Sequence, residues 1–384
     1  MNPSTNKCLN FICDNVLSFT RKLQNDNQGL EYRFSLNSKK ISPFSLCFAK
    51  FIEFLITRKI STGHIKLKDK IIENLINYEN ERKKITGIKG DKFFLQLFCF
   101  SISLLSIINK LPNKYITSVI NKIIPENIEN LFIDLGVDKG NPHTGNLSMF
   151  YGIIFYYENI FIKKNSNLNR WVKFHKEKMN INGFWTKNKK KYLSFQNGYH
   201  QYEIFNYLNI KIDKIKLLNA KNNVLDCCDK DGFYAPFPGG HSCYDYDAIF
   251  ILLFYLNNSS DSNLDIKKKF SLLFNQIILE KNNDGGFCLN KKIRPRKISN
   301  IMGIIEHLID SKNIYIFFER FKHSCAYQLP KYDENKNQFS VDSFKWNESN
   351  LWDTWFRVLT LAKIEKYLIG KKKWGFIDFP GLGN

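Results

Sequence analysis

Three short stretches set acids, imidazoles and aromatic rings close together, and each runs into a helix-like sequence. In His241-Ser242-Cys243-Tyr244-Asp245-Tyr246-Asp247, the last acid precedes an apolar run at 248–256. A carboxyl placed there is expected to be partly desolvated, which favours the protonated form that a general acid needs. Asp245 points elsewhere on a helix, and its S-x-x-D spacing from Ser242 is that of a capping box, which by itself can account for it. His241 and Cys243 add groups able to exchange protons or ligate a metal, and Tyr244 adds an aromatic wall.

The second stretch is Asn197-Gly198-Tyr199-His200-Gln201-Tyr202-Glu203. Tyr199 and Glu203 fall one helical turn apart on one face, and an unperturbed His200 would move protons near neutral pH. The plainer reading makes Asn197 an N-cap and His200 a hydrogen-bonded packing residue. The third stretch runs Asn350-Leu351-Trp352-Asp353-Thr354-Trp355-Phe356-Arg357. Asp353 and Arg357 have i,i+4 spacing beside two indoles, so they read either as a core ion pair or, with Arg357 facing a cavity, as an anion-binding group.

These groups are positioned by a recurring unit: an amphipathic helix, a Gly-aromatic turn, a polar loop and an apolar helix. The turn stands at Asn182-Gly183-Phe184-Trp185, Asp231-Gly232-Phe233-Tyr234 and Asp284-Gly285-Gly286-Phe287, about 50 residues apart. Weaker versions stand at Gln28-Gly29-Leu30 and His143-Thr144-Gly145. Glycine is expected to end the polar helix in a left-handed conformation, with the aromatic tucked back beneath the next hairpin. Polar candidates such as 66–80 and 266–280 carry one apolar stripe, whereas 246–256 is apolar nearly all round. Two concentric shells explain both patterns. Apolar helices near 43, 93, 147, 199, 244 and 351 number six, so the expected fold is an all-α (α/α)6 toroid in one domain, 1–384. An open helical-repeat solenoid is the alternative. The stretch at about 290–347 exceeds one hairpin and reads as an insertion, and the Pro- and Gly-containing segment 371–384 as a plug or lid.

Composition narrows the partners. Of 384 residues, 43% are hydrophobic and 34 are Phe, which is ample for a large core. The formal charge of +21 is scattered rather than gathered into a stripe, so nucleic acid is not expected as a partner. Nine Cys at irregular spacing, with no CxxC and no signal-peptide pattern, point to reduced thiols in a cytoplasm. Apolar runs such as 93–108 carry polar interruptions or are too short to cross a bilayer, which leaves only peripheral membrane contact open. No phosphate-binding Gly loop or serine-hydrolase motif is present.

Asp284-Gly285-Gly286-Phe287 resembles the Gln-x-x-Asp-Gly-Gly-Trp repeat of terpenoid cyclases and the Asp-Gly-Gly-Phe turn of protein prenyltransferase β subunits. Asp245-Tyr246-Asp247-Ala248 resembles the Asp-x-Asp-Asp helix start of class II terpenoid cyclases, whose central acid protonates an alkene or epoxide. The resemblance implies Asp247 as proton donor, with Ala248 standing where that family has a further acid. Gly239-Gly240-His241-Ser242-Cys243-Tyr244 resembles the Asp-x-Cys-Tyr zinc element of the prenyltransferases, with His241 in the place of Asp. That family's third ligand, a His, is matched only by Ser299 and Asn300, with His307 too far along, so neither zinc nor another cofactor is expected. The implied enzyme acts on a prenyl or terpenoid substrate, with Asp247 as acid, His200 or Glu203 as base, and Trp185, Trp352 and Trp355 as cation-stabilising walls. Two other readings share the same residues. Carboxylates among Trp and Tyr also suit a glycan-cleaving (α/α)6 enzyme, and the same fold can serve as a non-catalytic binding scaffold.

Overall fold

The apolar runs and amphipathic stripes become helices almost throughout the residues that the computed structural model describes: 3–83, 91–137, 142–164, 166–186, 191–259, 264–292, 299–327 and 334–381. In chain order these are α1 (Pro3–Lys22), α2 (Pro43–Thr57), α3 (His64–Lys83), α4 (Lys92–Ile107) and α5 (Lys114–Ile123). Next come α6 (Ile128–Asp134), α7 (Pro142–Tyr157), α8 (Ser166–Lys178), α9 (Lys191–Tyr207) and α10 (Lys214–Cys227). The last are α11 (Ser242–Asn258), α12 (Leu264–Leu279), α13 (Ser299–Ile309), α14 (Ile314–Tyr327) and α15 (Leu351–Leu368). A π-helical turn, Glu158–Ile162, extends α7, and two residues each of β1 (Glu334–Asn335) and β2 (Phe344–Lys345) pair antiparallel. The protein is all-α, and the apolar helices expected near 43, 93, 147, 199, 244 and 351 are α2, α4, α7, α9, α11 and α15. Among the described residues no helix is long and apolar enough to cross a membrane.

Polar residues set several helix starts. The Asp91 carboxylate accepts the Phe93 and Phe94 N–H groups at 3.0 and 2.9 Å, and Asn113 does the same for Tyr115 at 2.9 Å. The chain divides into two compact units, the first formed by Met1–Lys59, Lys190–Tyr192 and Lys221–Gly375 and the second by Ile60–Lys189, Leu193–Ala220 and Phe376–Asn384. Within the first, α15 packs on α2, α11 and α12, and α13 packs on α14. Within the second, α4 packs on α3 and α7, and α8 on α6 and α7.

The Gly-aromatic turn is built the same way three times. In 180–184 the Asn180 N–H donates to the Phe184 carbonyl at 2.8 Å and the Gly183 N–H to the Asn180 carbonyl at 3.1 Å. The equivalent bonds are 2.9 and 3.1 Å in 229–233, and 2.9 and 3.1 Å in 282–286. Gly183, Gly232 and Gly285 have φ of 78°, 90° and 99°. The left-handed conformation is as expected, but its place is not. The preceding helices end at Lys178, Cys227 and Leu279, so the glycines close a separate turn beyond the helix instead of capping it. Phe184, Phe233 and Phe287 are fully buried beneath these turns. The weaker marker at Gly145 is corrected outright: it lies inside α7, where an added Cβ would stand 2.3 Å from Asn197 Oδ1. The His143 side chain lies outside the described residues.

Each turn presses on another polar helix, and a Cβ at Gly285 would meet the Asn15 carbonyl of α1 at 2.4 Å. Left-handed strain and that backbone clash together should make Gly285→Ala less stable by about 2–3 kcal/mol. Urea denaturation measures this, with Gly303→Ala as control: nothing lies within 4 Å of a Cβ there, in α13. The control should be neutral or gain up to about 1 kcal/mol.

The segment expected as an insertion holds α13, α14 and the β1–β2 pair, with 293–298 and 328–333 outside the described residues. Of the C-terminal segment expected as a plug, Lys371 and Lys372 donate their N–H groups to Glu365 at 3.1 Å in the first unit. In the second unit Asp378 accepts the Tyr207 hydroxyl at 3.0 Å and the Pro380 carbonyl accepts Ser103 Oγ at 3.4 Å. Residues 382–384 lie outside the described residues.

Candidate active site

Two helix starts meet in the first unit. Gly239 and Gly240, with φ of 88° and 75°, lead the chain into α11. A Cβ on Gly240 would fall 2.3 Å from the Phe233 ring and 2.7 Å from Asp245 Oδ2, so only glycine lets this carboxylate reach back to the turn. The capping register differs from the sequence reading by one residue. His241, not Ser242, is the N-cap, its Nδ1 accepting the Cys243 N–H at 3.2 Å, while Asp245 accepts the His241 N–H at 3.0 Å. Asp245 also accepts the Tyr234 N–H at 2.7 Å and Arg357 Nη1 at 2.6 Å.

Asn350 caps α15, accepting the Asp353 N–H at 2.9 Å and donating Nδ2 to Asp353 Oδ2 at 2.6 Å. The other Asp353 oxygen accepts Ser242 Oγ of α11, which bolts the two helix starts together. This corrects two expectations. Ser242 serves Asp353 instead of capping α11, and Arg357 pairs with Asp245 across helices instead of with Asp353 one turn away. Arg357 is therefore a core salt-bridge residue, 1% exposed, with its guanidinium 5.6 Å from the Phe233 ring centroid. Burial pushes the Asp245 carboxyl up while Arg357 pulls it back. Burial likewise raises Asp353, against its bonds to Ser242 and Asn350.

Asp247 is the third carboxyl of the group, 3% exposed. Its charge and that of Asp353, after burial, hold the Cys243 thiol well above the ordinary range, and the Trp352 indole opposes them. Burial, then Arg357, pushes the His241 imidazole down to about 3, so it is neutral at pH 7. Tyr244 lies edge-on to His241 and Tyr192 at 5.4 and 6.5 Å. Trp352 stacks on Phe339 at 4.3 Å and meets Phe356 at 4.5 Å and Phe48 at 5.2 Å, while Tyr246 meets Phe356 at 5.3 Å. Trp355 is buried against Phe51 at 5.3 Å, and among the described residues its indole N–H has no hydrogen-bond partner. Sequence reasoning missed Phe356, Tyr246, Phe48 and Phe339. The Phe44, Phe48 and Phe51 spacing in α2 carried a helical-face signal, but Phe339 in a loop carried none.

The stretch around residue 199 belongs to the second unit. Since α9 starts at Lys191, Asn197 is inside the helix and is not a cap. Tyr199 does lie over Glu203, its hydroxyl donating to Oε2 at 2.6 Å, and the Gly381 N–H donates to Oε1 at 3.1 Å. His200 Nδ1 lies 3.2 Å from the Asn197 carbonyl, and burial pushes the imidazole down to about 3. The near-neutral titration expected of His200 is thereby removed. Trp185 is a packing residue, its indole N–H donating to the His175 carbonyl at 2.7 Å and its ring edge-on to Tyr202 and Phe205.

His175, which the sequence did not mark, is fully buried, with Nδ1 2.7 Å from the Trp171 carbonyl and Nε2 2.6 Å from Ser148 Oγ. Burial pushes it down to about 3. Above pH ~6.5 both folded and unfolded states hold a neutral ring, and below it only the unfolded state takes the proton. The stability that this group contributes is therefore lost as pH falls from ~6.5 towards ~3. Unfolding free energies by urea at several pH values should fall more steeply in the wild type than in His175→Gln, by about 1.4 kcal/mol per pH unit between 6 and 4. Equal slopes would remove His175 from the acid sensitivity.

Among the described residues no three His, Cys, Asp or Glu side chains are grouped to hold a metal ion. The side chains of Ser299 and Asn300, weighed as zinc ligands, lie outside the described residues. No family model and no curated protein matches the chain. Solved structures similar to it include the type II terpene cyclase MstE from Scytonema. A variant in complex with geranylgeranyl dihydroxybenzoate is 12% identical over 93% of this chain and 96% of that one, with a TM-score of 0.47. An apo variant is 11% identical over 95% and 98%, with a TM-score of 0.49.

Proposed function

We propose that the protein is an acid-catalysing enzyme of the terpenoid-cyclase kind, with Asp247 as proton donor to an alkene or epoxide of a prenyl-type substrate. The observation that carries this reading is the place of Asp247 in a group of three buried carboxyls. Asp245 is fixed by Arg357 and two backbone N–H groups, and Asp353 by Ser242 and Asn350. Asp247, 3% exposed, is the member of the group that heads the apolar length of α11. A general acid of this kind has to be a carboxyl positioned against an apolar substrate, and the head of this apolar run is such a position.

In the reaction the Asp247 O–H bond breaks as a C–H bond forms at the less substituted alkene carbon, leaving a carboxylate and a tertiary cation. Ring closure by a further alkene and loss of a proton from the final cation balance the step, so the product is an isomer of the substrate. Trp352, Phe356 and Tyr246 supply π faces that suit a passing cation.

The test is incubation of the purified protein with geranylgeranyl dihydroxybenzoate and with linear polyprenyl substrates, followed by mass spectrometry. The proposal expects a cyclised product of unchanged mass. Hydrolysis of oligosaccharides instead would establish the glycan-cleaving reading, and retention of a ligand without turnover by both wild type and Asp247→Asn would establish a binding scaffold.

A further inference from the structure

The hairpin formed by α13 and α14 in the first unit is apolar on its outer as well as its inner face. Ile304, Leu308 and Ile316 are buried beside His307, Arg320 and Ser324, and large apolar groups also face outward. On α13, Ile301, Met302, Ile305 and Ile309 are 43–77% exposed, and on α14, Ile314, Tyr315, Phe318 and Phe321 are 49–61% exposed. Their spacings, i, i+1, i+4, i+8 and i, i+1, i+4, i+7, put each set on one stripe of its helix. A water-facing hairpin keeps its outer face polar, and a soluble monomer rarely gathers so many large apolar side chains on one surface.

The buried polar groups are used structurally. Arg320 Nε donates to the Tyr192 hydroxyl at 2.9 Å and Nη1 to the His307 carbonyl at 2.7 Å. The acids of the hairpin are bonded to groups of the body, the Glu306–Lys230 pair lying at the surface. Glu306 pairs with Lys230 at 2.7 Å, Asp310 accepts the Lys230 N–H at 2.8 Å, and Glu319 accepts the Lys191 N–H at 2.9 Å. Lys322 is exposed beside the stripes, as is Lys312, whose ammonium donates to the Leu225 carbonyl at 2.8 Å. In sequence, positions 291–297 leading to α13 carry five basic residues and no acid.

We propose that the α13–α14 hairpin docks on an anionic lipid surface, its apolar stripes entering the boundary between headgroups and acyl chains while the flanking lysines meet the headgroups. Helices of 11 and 14 residues are too short to span a bilayer and suit an orientation in the interface plane. Tyr315, Phe318 and Phe321 are ring types favoured at that depth. Charge separates this occupant from a second copy of the chain. Lys312 and Lys322 beside the stripes would face like charge on a second copy, whereas an anionic membrane offers the complementary sign.

The experiment is flotation of the full chain with vesicles of phosphatidylcholine alone or with about 30% phosphatidylserine. The anionic vesicles should carry the protein up the gradient, and raising salt from about 0.1 to about 0.5 M should lower the bound fraction several-fold. Phe318→Glu with Phe321→Glu should weaken binding at least about tenfold, with an unchanged circular dichroism melt because both rings are exposed. Lys312→Glu with Lys322→Glu should remove the preference for anionic over neutral vesicles without touching the apolar stripes. Absence of flotation, equal binding to both vesicle types, or indifference to the Phe changes overturns the proposal. So does a dimer in sedimentation velocity that the Phe changes dissociate without any flotation, which would make a second copy the occupant.

Discussion

Asp247→Asn should lower turnover of a prenyl substrate about a thousandfold, the middle of the range that a positioned general acid supplies. The amide has the shape of the acid but no proton to give, so a loss confined to the chemical step is the signature of a donor. Single-turnover rates read that step directly, and ligand retention by native mass spectrometry reads binding separately. Asp245→Asn and Asp353→Asn are the informative comparisons, because both residues stand in the same group with different bonds. Asp245 holds Arg357 and the His241 and Tyr234 N–H groups, and Asp353 joins Ser242 to Asn350. Their replacement should show first in the melting temperature, with activity falling in proportion to the folded fraction. If Asp247→Asn turns over at the wild-type rate, the proton comes from elsewhere and the reading of the site fails.

Much of the helical plan could be read because its determinants are local. Apolar runs marked the starts of α2, α4, α11 and α15 to within about two residues, and Gly after Asn or Asp marked turns that do carry positive φ. Errors arose where a local signal had two physical causes. Asn197-Gly198 has the look of a helix start, yet Gly198 is a glycine because a Cβ there would stand 2.5 Å from the Phe184 ring, in the middle of α9. Ser242 has cap spacing to Asp245, yet its hydroxyl is taken by Asp353, 111 residues away. Arg357 likewise has an acid at i−4, but that acid is already committed, so the guanidinium turns to Asp245, 112 residues away. Spacing ranks local partners and is silent on competition from another helix. The outward apolar face of α13 and α14 was hidden for a related reason. A stripe of Ile and Phe reads as a core face unless the other side's Arg320 is known to be buried among the Tyr192 hydroxyl and carbonyl acceptors.

The Asp245–Arg357 pair makes the second large effect, and here the sign of pH dependence distinguishes its partners. Arg357→Met should destabilise the protein by about 3–5 kcal/mol, since it leaves a fully buried carboxylate without its counter-charge. Asp245→Asn should lose a similar amount by stranding the guanidinium. The double variant should be more stable than the sum of the two losses predicts, because neither charge then remains buried alone. The two single variants part company with pH. Burial already raises the Asp245 carboxyl and Arg357 pulls it down, so removing Arg357 raises it further. A carboxyl raised in the folded state binds a proton there that the unfolded chain has released, so folding is least penalised below about pH 3.9 and loses stability as pH rises above it. Relative to wild type, the Arg357→Met deficit should therefore shrink at pH 4 and grow towards pH 8, while that of Asp245→Asn, which removes a carboxyl already raised in the wild type, should run the other way and shrink as pH rises. Urea denaturation of the four proteins at both pH values measures the cycle. Strict additivity, or a pH-independent Arg357→Met deficit, would show that the ion pair does not hold the starts of α11 and α15 in the way the geometry indicates.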